Sequence, residues 1–337
     1  MSSAPTVDDI ARDATWLVQA IDPAAGVARL VAMDRESYRA ASFLDDRMLE
    51  PPVDAQLVAW TEVELAASQM ARQDARWIFH IGHVGSTLVS RLLGEIEGVL
   101  AVREPRLLRD LAFTPGDIRG RYLAPVPRLL SRTFAEDELA CVKATSFASQ
   151  IAAQLVPPGE RALFMFARPE RYVAGILAGE NSLKELEVLA PSRAERLGQI
   201  GTDLPPPRSA AEAAAAAWAA EMVTLEHAAE AMPDRQILWQ DFDAMLGGMT
   251  PALARVAGFF GFGADAQRLD EIVAGPLMRR YSKALEYEYS PALRDELLGD
   301  IAGRFGNEIT AALAMVERAA EKAPLLARAL SRGEPES

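Results

Sequence analysis

Five short apolar runs, rich in β-branched and aromatic residues, occur along the chain from residue 76 onward. They are nearly unbroken runs rather than alternations, which predicts strands buried on both faces. The runs occupy residues 76–81, 98–103, 140–145, 161–167 and 235–239. A helix-like segment follows each of the first four, at 86–95, 123–134, 147–155 and 172–178. This alternation predicts a three-layer α/β domain with a central parallel sheet of about five strands.

The regions on either side of this pattern are predicted to be helical. Residues 1–75, with breaks at Asp22-Pro23 and Pro51-Pro52, are expected to form an N-terminal helical extension packed on the core. Residues 76–330 are expected to form the α/β domain, with helices added at its C-terminal end, and 331–337 a flexible tail. An alanine-rich helix is predicted to begin at Ser209, where Glu212 completes a capping-box pattern. Its small side chains suit close helix packing, either internal or in a homodimer.

Charge and cysteine content exclude several function classes. The 35 Lys and Arg against 48 Asp and Glu give a net charge of −13, so no nucleic-acid partner is expected. The single cysteine, Cys141, excludes an internal disulfide framework and a cysteine-based zinc cluster. No metal site is expected, since His80 and His83 lack an evident third ligand. No secretory signal is visible and no apolar stretch approaches the roughly 20 residues of a membrane-spanning helix, so a cytoplasmic protein with no integral membrane segment is expected.

The most informative segment is the loop that follows the first predicted strand of the sheet. Residues 79–93 read FHIGHVGSTLVSRLL, in which a buried strand leads through residues 82–87 directly into a helix. Glycine lets the backbone approach a phosphate closely, and the amides of a helix's first turn attract anions. A Walker A loop would carry a lysine where Gly85 stands, and this loop contains none. The segment therefore predicts an anion site without that lysine, the alternative being a tight turn capped by Ser86.

On these residues the segment resembles the 5′-phosphosulfate loop of the sulfotransferases, which use 3′-phosphoadenosine 5′-phosphosulfate (PAPS). The style of the motifs is nearest to the tyrosylprotein and bacterial members of that family. The resemblance implies a P-loop-like fold, with PAPS as co-substrate and 3′,5′-adenosine bisphosphate as product. It implies that the donor is bound by the loop residues Gly82, His83, Val84, Gly85, Ser86 and Thr87. His83 stands where the family usually has Lys or Arg, and it is also a candidate catalytic group.

Three later segments resemble further elements of the same family. Residues 164–175 resemble the 3′-phosphate element, which implies that Arg168 binds that phosphate. Gly175 falls where the family has a serine, and Arg171 or Ser182 could compensate. Residues 237–246 resemble a scaffold element, in which Asp241 is assigned no chemistry.

The third of these segments, residues 277–289, resembles the C-terminal basic loop that closes over the nucleotide. Ser282 and Lys283 are the residues that this resemblance places on the donor. Basic residues that follow a Gly-Pro pair in a loop are otherwise typical of a solvent-facing segment.

Transfer to a hydroxyl needs a base, and Glu104 is the best candidate. It stands at the end of the second strand, where doubly wound sheets bind ligands, and some sulfotransferases have a glutamate in a comparable place. The neighbours Arg103, Arg106 and Arg109 could keep it ionised or could bind an acidic acceptor. The alternative is that Glu104 caps the following turn. Two other candidates are set aside, because His80 is expected within the sheet packing and His227 on a helix surface.

Lys143 is the remaining unusual residue. A lysine in an otherwise apolar strand costs free energy unless it reaches an anion or water. The tyrosylprotein enzymes have a similarly placed lysine beside the reacting sulfate, which implies a catalytic role for Lys143.

Three functions follow from these observations. The first is a PAPS-dependent sulfotransferase acting on a hydroxyl of a small molecule, carbohydrate or peptide, with residues 180–207 as a lid. The second is a P-loop nucleotide kinase or NTPase with Ser86 or Thr87 on Mg²⁺, against which the missing lysine speaks. The third is a non-catalytic nucleotide-binding protein on the same fold.

Overall fold

A computed structural model of the chain describes residues 4–50, 53–279 and 290–332. Residues 1–75 are predicted to be helical, and the region does contain helices, but it also contains a three-stranded antiparallel sheet whose strands follow chain order. The elements of this region are α1 (Val7–Arg12), β1 (Trp16–Asp22), β2 (Val27–Ala32), α2 (Arg35–Ala40), a 3₁₀ helix (Asp46–Leu49), β3 (Ala55–Ala59) and α3 (Trp60–Ser68).

A hairpin turn stands where the sequence pattern indicated a helix break. Asp22 accepts hydrogen bonds from the amides of Ala24 and Ala25, and Gly26 has a φ of 67°. An Asp-Pro pair followed by a left-handed glycine builds such a turn as readily as it ends a helix. The amide of Leu44 donates to the carbonyl of Arg103 at 2.7 Å, which joins this region to the α/β core.

The central sheet confirms the five predicted strands and their parallel arrangement. Its strand order is β5-β6-β4-β7-β8, with β4 in the centre. Every side chain of β4, β5, β6 and β7 except the first of each strand is buried, as the unbroken apolar runs predicted. The strands are β4 (Arg76–His80), β5 (Val99–Arg103), β6 (Leu139–Lys143), β7 (Arg161–Phe166) and β8 (Gln236–Asp241).

Helices cover both faces of the sheet. The connection from β4 runs through α4 to β5 on one side, whereas the connections from β5, β6 and β7 return in the opposite direction, so right-handed crossovers place them on the other face. The helices between the strands are α4 (Ser86–Leu93), α5 (Arg106–Phe113), α6 (Gly116–Leu123), α7 (Val126–Leu130), a 3₁₀ helix (Ser146–Ile151), α8 (Ala152–Leu155), α9 (Pro169–Leu177), α10 (Glu180–Ile200) and α11 (Ala210–Glu230). The reversal of direction beside β4 creates a crevice at the carboxyl edge of the sheet.

The C-terminal region is helical, as predicted. It consists of α12 (Phe242–Gly247), α13 (Met249–Phe260), α14 (Ala266–Ala274), a 3₁₀ helix (Pro276–Arg279), α15 (Pro291–Ala320) and α16 (Pro324–Ser331). Of the predicted tail 331–337, Ser331 belongs to α16 and residues 333–337 lie outside the described residues. Within the described ranges, no helix combines the length and the apolar character needed to cross a bilayer.

Candidate active site

The loop between β4 and α4 has a left-handed backbone at three positions. Gly82, His83 and Gly85 have φ angles of 79°, 55° and 60°. Gly85 is also packed against Phe242, because a Cβ atom at Gly85 would lie 2.0 Å from Cζ of that ring. A residue with a side chain is therefore excluded at Gly85 both by its backbone conformation and by its neighbour.

The N-terminus of α4 has the chemistry of an anion site. The helix has no acidic residue in its first turn and no side-chain hydrogen bond at its N-cap, Gly85. Thr87 is only 2% exposed, and its Oγ1 has no hydrogen-bond partner within the described residues. A buried hydroxyl without a partner next to free helix amides fits a phosphate or sulfate group.

A cavity of about 380 Å³ lies against this loop. We call it the loop cavity. It is lined by His80, His83, Val84, Gly85, Ser86, Thr87, Leu88, Glu104, Lys143, Gly175, Ala178, Gly179, Ser182, Phe242, Leu293, Arg294, Leu297 and Leu298. Seven of the candidate site residues from the sequence analysis that belong to the loop or to the catalytic pair thus line one cavity together with residues of α15.

Glu104 and Lys143 form an ion pair at the ends of β5 and β6. In the register of β5 against β6, Arg103 lies beside Lys143. The amide of Glu104, the next residue, donates to the carbonyl of Lys143 at 2.7 Å. Lys143 is 1% exposed, whereas the side chain of Glu104 is 15% exposed and lines the cavity. Glu104 has a φ of 50°, and with His83 it is one of two non-glycine residues in the described chain with a positive φ. Backbone strain of this kind concentrates at functional sites.

The cation beside Glu104 is therefore Lys143 and not one of the neighbouring arginines. Arg103 is buried and donates to the carbonyls of Tyr38 and Ala41, and burial lowers its pKa to about 9. Arg106 pairs with Asp46 and Asp110. The sequence-based expectation that Arg103 or Arg106 supports Glu104 is wrong, because the strand pairing turns Arg103 toward the N-terminal region.

His80 lies at the site and not simply in the sheet packing, which corrects the sequence-based expectation. Its Nδ1 accepts a hydrogen bond from the amide of Gly82 at 3.0 Å, and its Nε2 lies 3.0 Å from the carbonyl of Ala144. These two contacts place the proton on Nε2, so the ring is neutral in this arrangement. Nε2 also lies 3.8 Å from Oε1 of Glu104. His227, by contrast, is exposed on α11, as predicted.

His83 connects the loop to α10. Its Nε2 lies 3.7 Å from Oε2 of Glu185, and its ring meets Tyr172 edge to face, with 6.3 Å between centroids. Burial raises the pKa of the Tyr172 hydroxyl above its ordinary value, so this tyrosine is a poor base. Thus α10, which lies in the expected lid segment 180–207, approaches His83 of the loop.

A second cavity, of about 600 Å³, lies on the other side of these groups. We call it the outer cavity. It shares His80, His83 and Glu104 with the loop cavity. Its other lining residues are Phe43, Asp45, Asp46, Arg47, Gly82, Pro105, Arg106, Arg109, Thr145, Ser146, Phe147, Lys184, Glu185, Val188 and Leu189. Two cavities that meet at a carboxylate and two imidazoles can hold two reactants on either side of one reacting centre.

The residues of the expected 3′-phosphate element are divided between two places. Gly175 and Ser182 line the loop cavity, but Arg168 does not, and its Nε lies 3.4 Å from Oδ2 of Asp241. Asp241 also caps α12 by accepting from the amide of Asp243. Arg168 therefore forms a salt bridge with the N-cap residue of α12 and does not line the loop cavity. Ser282 and Lys283 lie outside the described residues.

Arg294 is a site residue that the sequence analysis missed. It lines the loop cavity from the first turns of α15 and pairs with Asp243 at 2.6 Å. Arg171 pairs with the same carboxylate at 3.1 Å. Nothing in the local sequence marks Arg294, because it reaches the cavity only when α15 packs against α9 and α11.

No group of three His, Cys, Asp or Glu side chains suited to a metal ion occurs in the part of the chain that the structure describes.

The sequence matches no protein-family model and no curated protein. Three solved structures are similar to this chain. The sulfotransferase domain from the curacin biosynthetic pathway is 11% identical, with a TM-score of 0.40 over 69% of this chain and 97% of that domain. The sulfotransferase domain of the Synechococcus PCC 7002 olefin synthase is 13% identical, with a TM-score of 0.40 over 69% and 94%. Mouse sulfotransferase SULT7A1 complexed with PAP is 10% identical, with a TM-score of 0.42 over 79% and 90%.

Proposed function

We propose that the protein is a sulfotransferase that moves a sulfuryl group from PAPS to a hydroxyl of an acceptor. The observation that carries the proposal is the meeting of the loop cavity and the outer cavity at His80, His83 and Glu104. Two bound reactants that share one boundary react without the entropic cost of a chance encounter. The sulfotransferase resemblance of the loop motif supports the same assignment.

The loop cavity is the proposed donor site. The hydroxyls of Ser86 and Thr87 and the first amides of α4 would hold the 5′-phosphosulfate, in the loop formed by Gly82, His83, Val84 and Gly85. The unpartnered Oγ1 of Thr87 fits this role, because a bound oxyanion would satisfy it.

The 3′-phosphate of the donor is assigned to arginine. Arg294 already lines the loop cavity and carries a guanidinium suited to bidentate contact with a phosphate. Arg168, Ser282 and Lys283 remain the candidates that the family resemblance implies. Each of these arginines is paired with an aspartate, and Arg294 is preferred because it lines the loop cavity whereas Arg168 does not.

The proposed chemistry uses the Glu104–Lys143 pair. PAPS supplies the sulfuryl group. The acceptor oxygen bonds to sulfur as the bond between sulfur and the bridging oxygen breaks, 3′,5′-adenosine bisphosphate leaves, and the acceptor proton passes to Glu104. Protonation neutralises Glu104, so that carboxylate no longer offsets the positive charge of Lys143 at the reacting centre. In the low dielectric around a side chain that is 1% exposed, this charge stabilises the leaving oxygen.

The test is a single-turnover assay with PAPS labelled in the sulfuryl group. Wild-type protein should release 3′,5′-adenosine bisphosphate and transfer label to a hydroxyl compound in a panel of phenols, sugars and alcohols. Glu104→Gln keeps the shape of the side chain but removes the base, and should lower the rate by about 10²–10⁴-fold. A wild-type protein that binds the bisphosphate but consumes no PAPS with any acceptor would instead be a non-catalytic nucleotide-binding protein.

A further inference from the structure

The residues that line the outer cavity indicate which kind of acceptor it binds. We propose that it binds a small acceptor with an apolar body, a hydroxyl at Glu104 and an anionic group, such as a carboxylate, at Arg109 and Lys184. This inference rests on the proposed sulfotransferase function.

Three of the four acidic side chains of the cavity are paired with cations, and the fourth, Glu185, lies near an imidazole. Asp45 pairs with Arg47 at 2.6 Å, and Glu104 pairs with Lys143. Asp46 accepts hydrogen bonds from Arg106 and Arg29. Although burial alone would raise the pKa of Asp46, these bonds lower it, so Asp46 stays ionised and paired. Glu185 lies 3.7 Å from His83.

Two cations of the same cavity lack such a partner. Arg109 and Lys184 form no ion pair within the described residues, although both line the cavity. Arg109 instead lies with its guanidinium carbon 5.9 Å from the ring centroid of Phe147. In a chain with a net charge of −13, two uncompensated cations at one cavity are a local site for an anion.

The remaining wall of the cavity is apolar and partly aromatic. Phe43 and Phe147 line it from the N-terminal region and from the segment after β6, and Val188 and Leu189 line it from α10. Val188 is 75% exposed, a high value for a large apolar side chain. An apolar ligand body would cover this surface and gain about 25 cal/mol for each Å² of apolar area buried.

The size of the outer cavity and the positions of its charges define the class of acceptor. A volume of about 600 Å³ lies within the usual range for small-molecule sites, which favours a small acceptor over a polymer. Arg109 stands about one helical turn beyond Arg106 at the start of α5, so the anion and the hydroxyl lie at different ends of the ligand. A hydroxylated aromatic carboxylate meets these requirements.

The experiment measures binding to the protein saturated with 3′,5′-adenosine bisphosphate. Calorimetric titrations compare para-hydroxybenzoate, para-hydroxyphenylacetate and para-hydroxyphenylpropionate with their uncharged amides. At least one carboxylate should bind about tenfold more tightly than its amide, because it forms two exposed ion pairs that the amide cannot form. Because both cations are exposed, this preference should shrink as the salt concentration rises.

Matched variants separate the cavity from general charge effects. Arg109→Ala and Lys184→Ala should each reduce the carboxylate preference about threefold. Arg304→Ala, which removes an arginine stacked on Phe305 at 5.3 Å on the surface of α15, and Lys322→Ala should leave it unchanged. Equal affinity for every carboxylate and its amide, or binding of neither, would overturn the inference while leaving the sulfotransferase proposal intact. Failure of the bisphosphate itself to bind would overturn both.

Discussion

Lys143 and Glu104 form a buried ion pair at the carboxyl edge of the central sheet, where β5 and β6 end side by side. Burying both charges costs desolvation energy that a pair only partly recovers. Glu104 adopts in addition a left-handed backbone, which costs a non-glycine residue about 1–3 kcal/mol. Both costs fall on the residues that border the two cavities, which is the distribution expected of a catalytic centre.

The pair predicts a ranking of two variants. Lys143→Ala should lower the single-turnover rate with PAPS by about 10²–10³-fold, because it removes the cation that we propose stabilises the leaving oxygen. His83→Ala should lower it by only about tenfold, since His83 lies at the boundary of the cavities but does not pair with Glu104. Lys143→Arg keeps the charge and controls for the loss of a buried ion pair. The opposite ranking of the two alanine variants would exchange their roles.

A second prediction concerns the packing of Gly85 against Phe242. Gly85→Ala should destabilise the protein by about 2–5 kcal/mol, combining backbone strain with overpacking, and should abolish nucleotide binding. Gly258→Ala is the matched control, because that glycine lies in α13 with no atom within 4 Å of an added Cβ. It should be neutral or slightly stabilising, by up to about 1 kcal/mol.

The steric part of this effect is separable by a double-mutant cycle. Phe242→Ala removes the ring that an added methyl group would meet, so the double variant should lose less free energy of unfolding than the sum of the single variants. Strict additivity in urea unfolding would show that Gly85 and Phe242 do not contact each other.

A third prediction uses the strained backbone of His83, with its φ of 55°. His83→Gly and His83→Ala both remove the imidazole, but only glycine adopts this conformation without strain. The glycine variant should therefore be the more stable of the two by about 1 kcal/mol, measured by chemical denaturation. Equal stability would mean that residue 83 is not held in the left-handed region.

A fourth prediction concerns pH and Asp241. Burial raises the pKa of this carboxyl above its ordinary value, with the nearby charge of Asp243 acting in the same direction. A group with a raised folded-state pKa contributes stability at low pH and loses it as pH rises through that value. The stability of the wild type relative to Asp241→Asn, which preserves the N-cap of α12, should increase between pH 7 and pH 4. If urea unfolding shows that the stability of the wild type relative to Asp241→Asn decreases between pH 7 and pH 4, the pKa of Asp241 is not raised.

The sequence pattern predicts the central sheet well because each strand of a parallel sheet is buried on both faces, and burial leaves unbroken apolar runs such as that of β7. It mispredicts the N-terminal hairpin, because the same Asp22-Pro23 pair fits a turn and a helix break. The pattern singles out Glu104 and Lys143 separately, but their contact depends on the register of β5 against β6. Arg294 lies 190 residues from Glu104 in sequence, and only the packing of α15 brings it to the loop cavity.

Calorimetric titration shows whether the loop between β4 and α4, which contains no lysine, binds a sulfated adenosine nucleotide. Wild-type protein is titrated with 3′,5′-adenosine bisphosphate and, separately, with Mg–ATP, and Arg294→Ala is titrated with the bisphosphate. We expect micromolar binding of the bisphosphate, much weaker binding of Mg–ATP, and bisphosphate binding weakened about tenfold or more by Arg294→Ala. A preference for Mg–ATP would rule out the proposed donor site and point to a nucleotide kinase or NTPase.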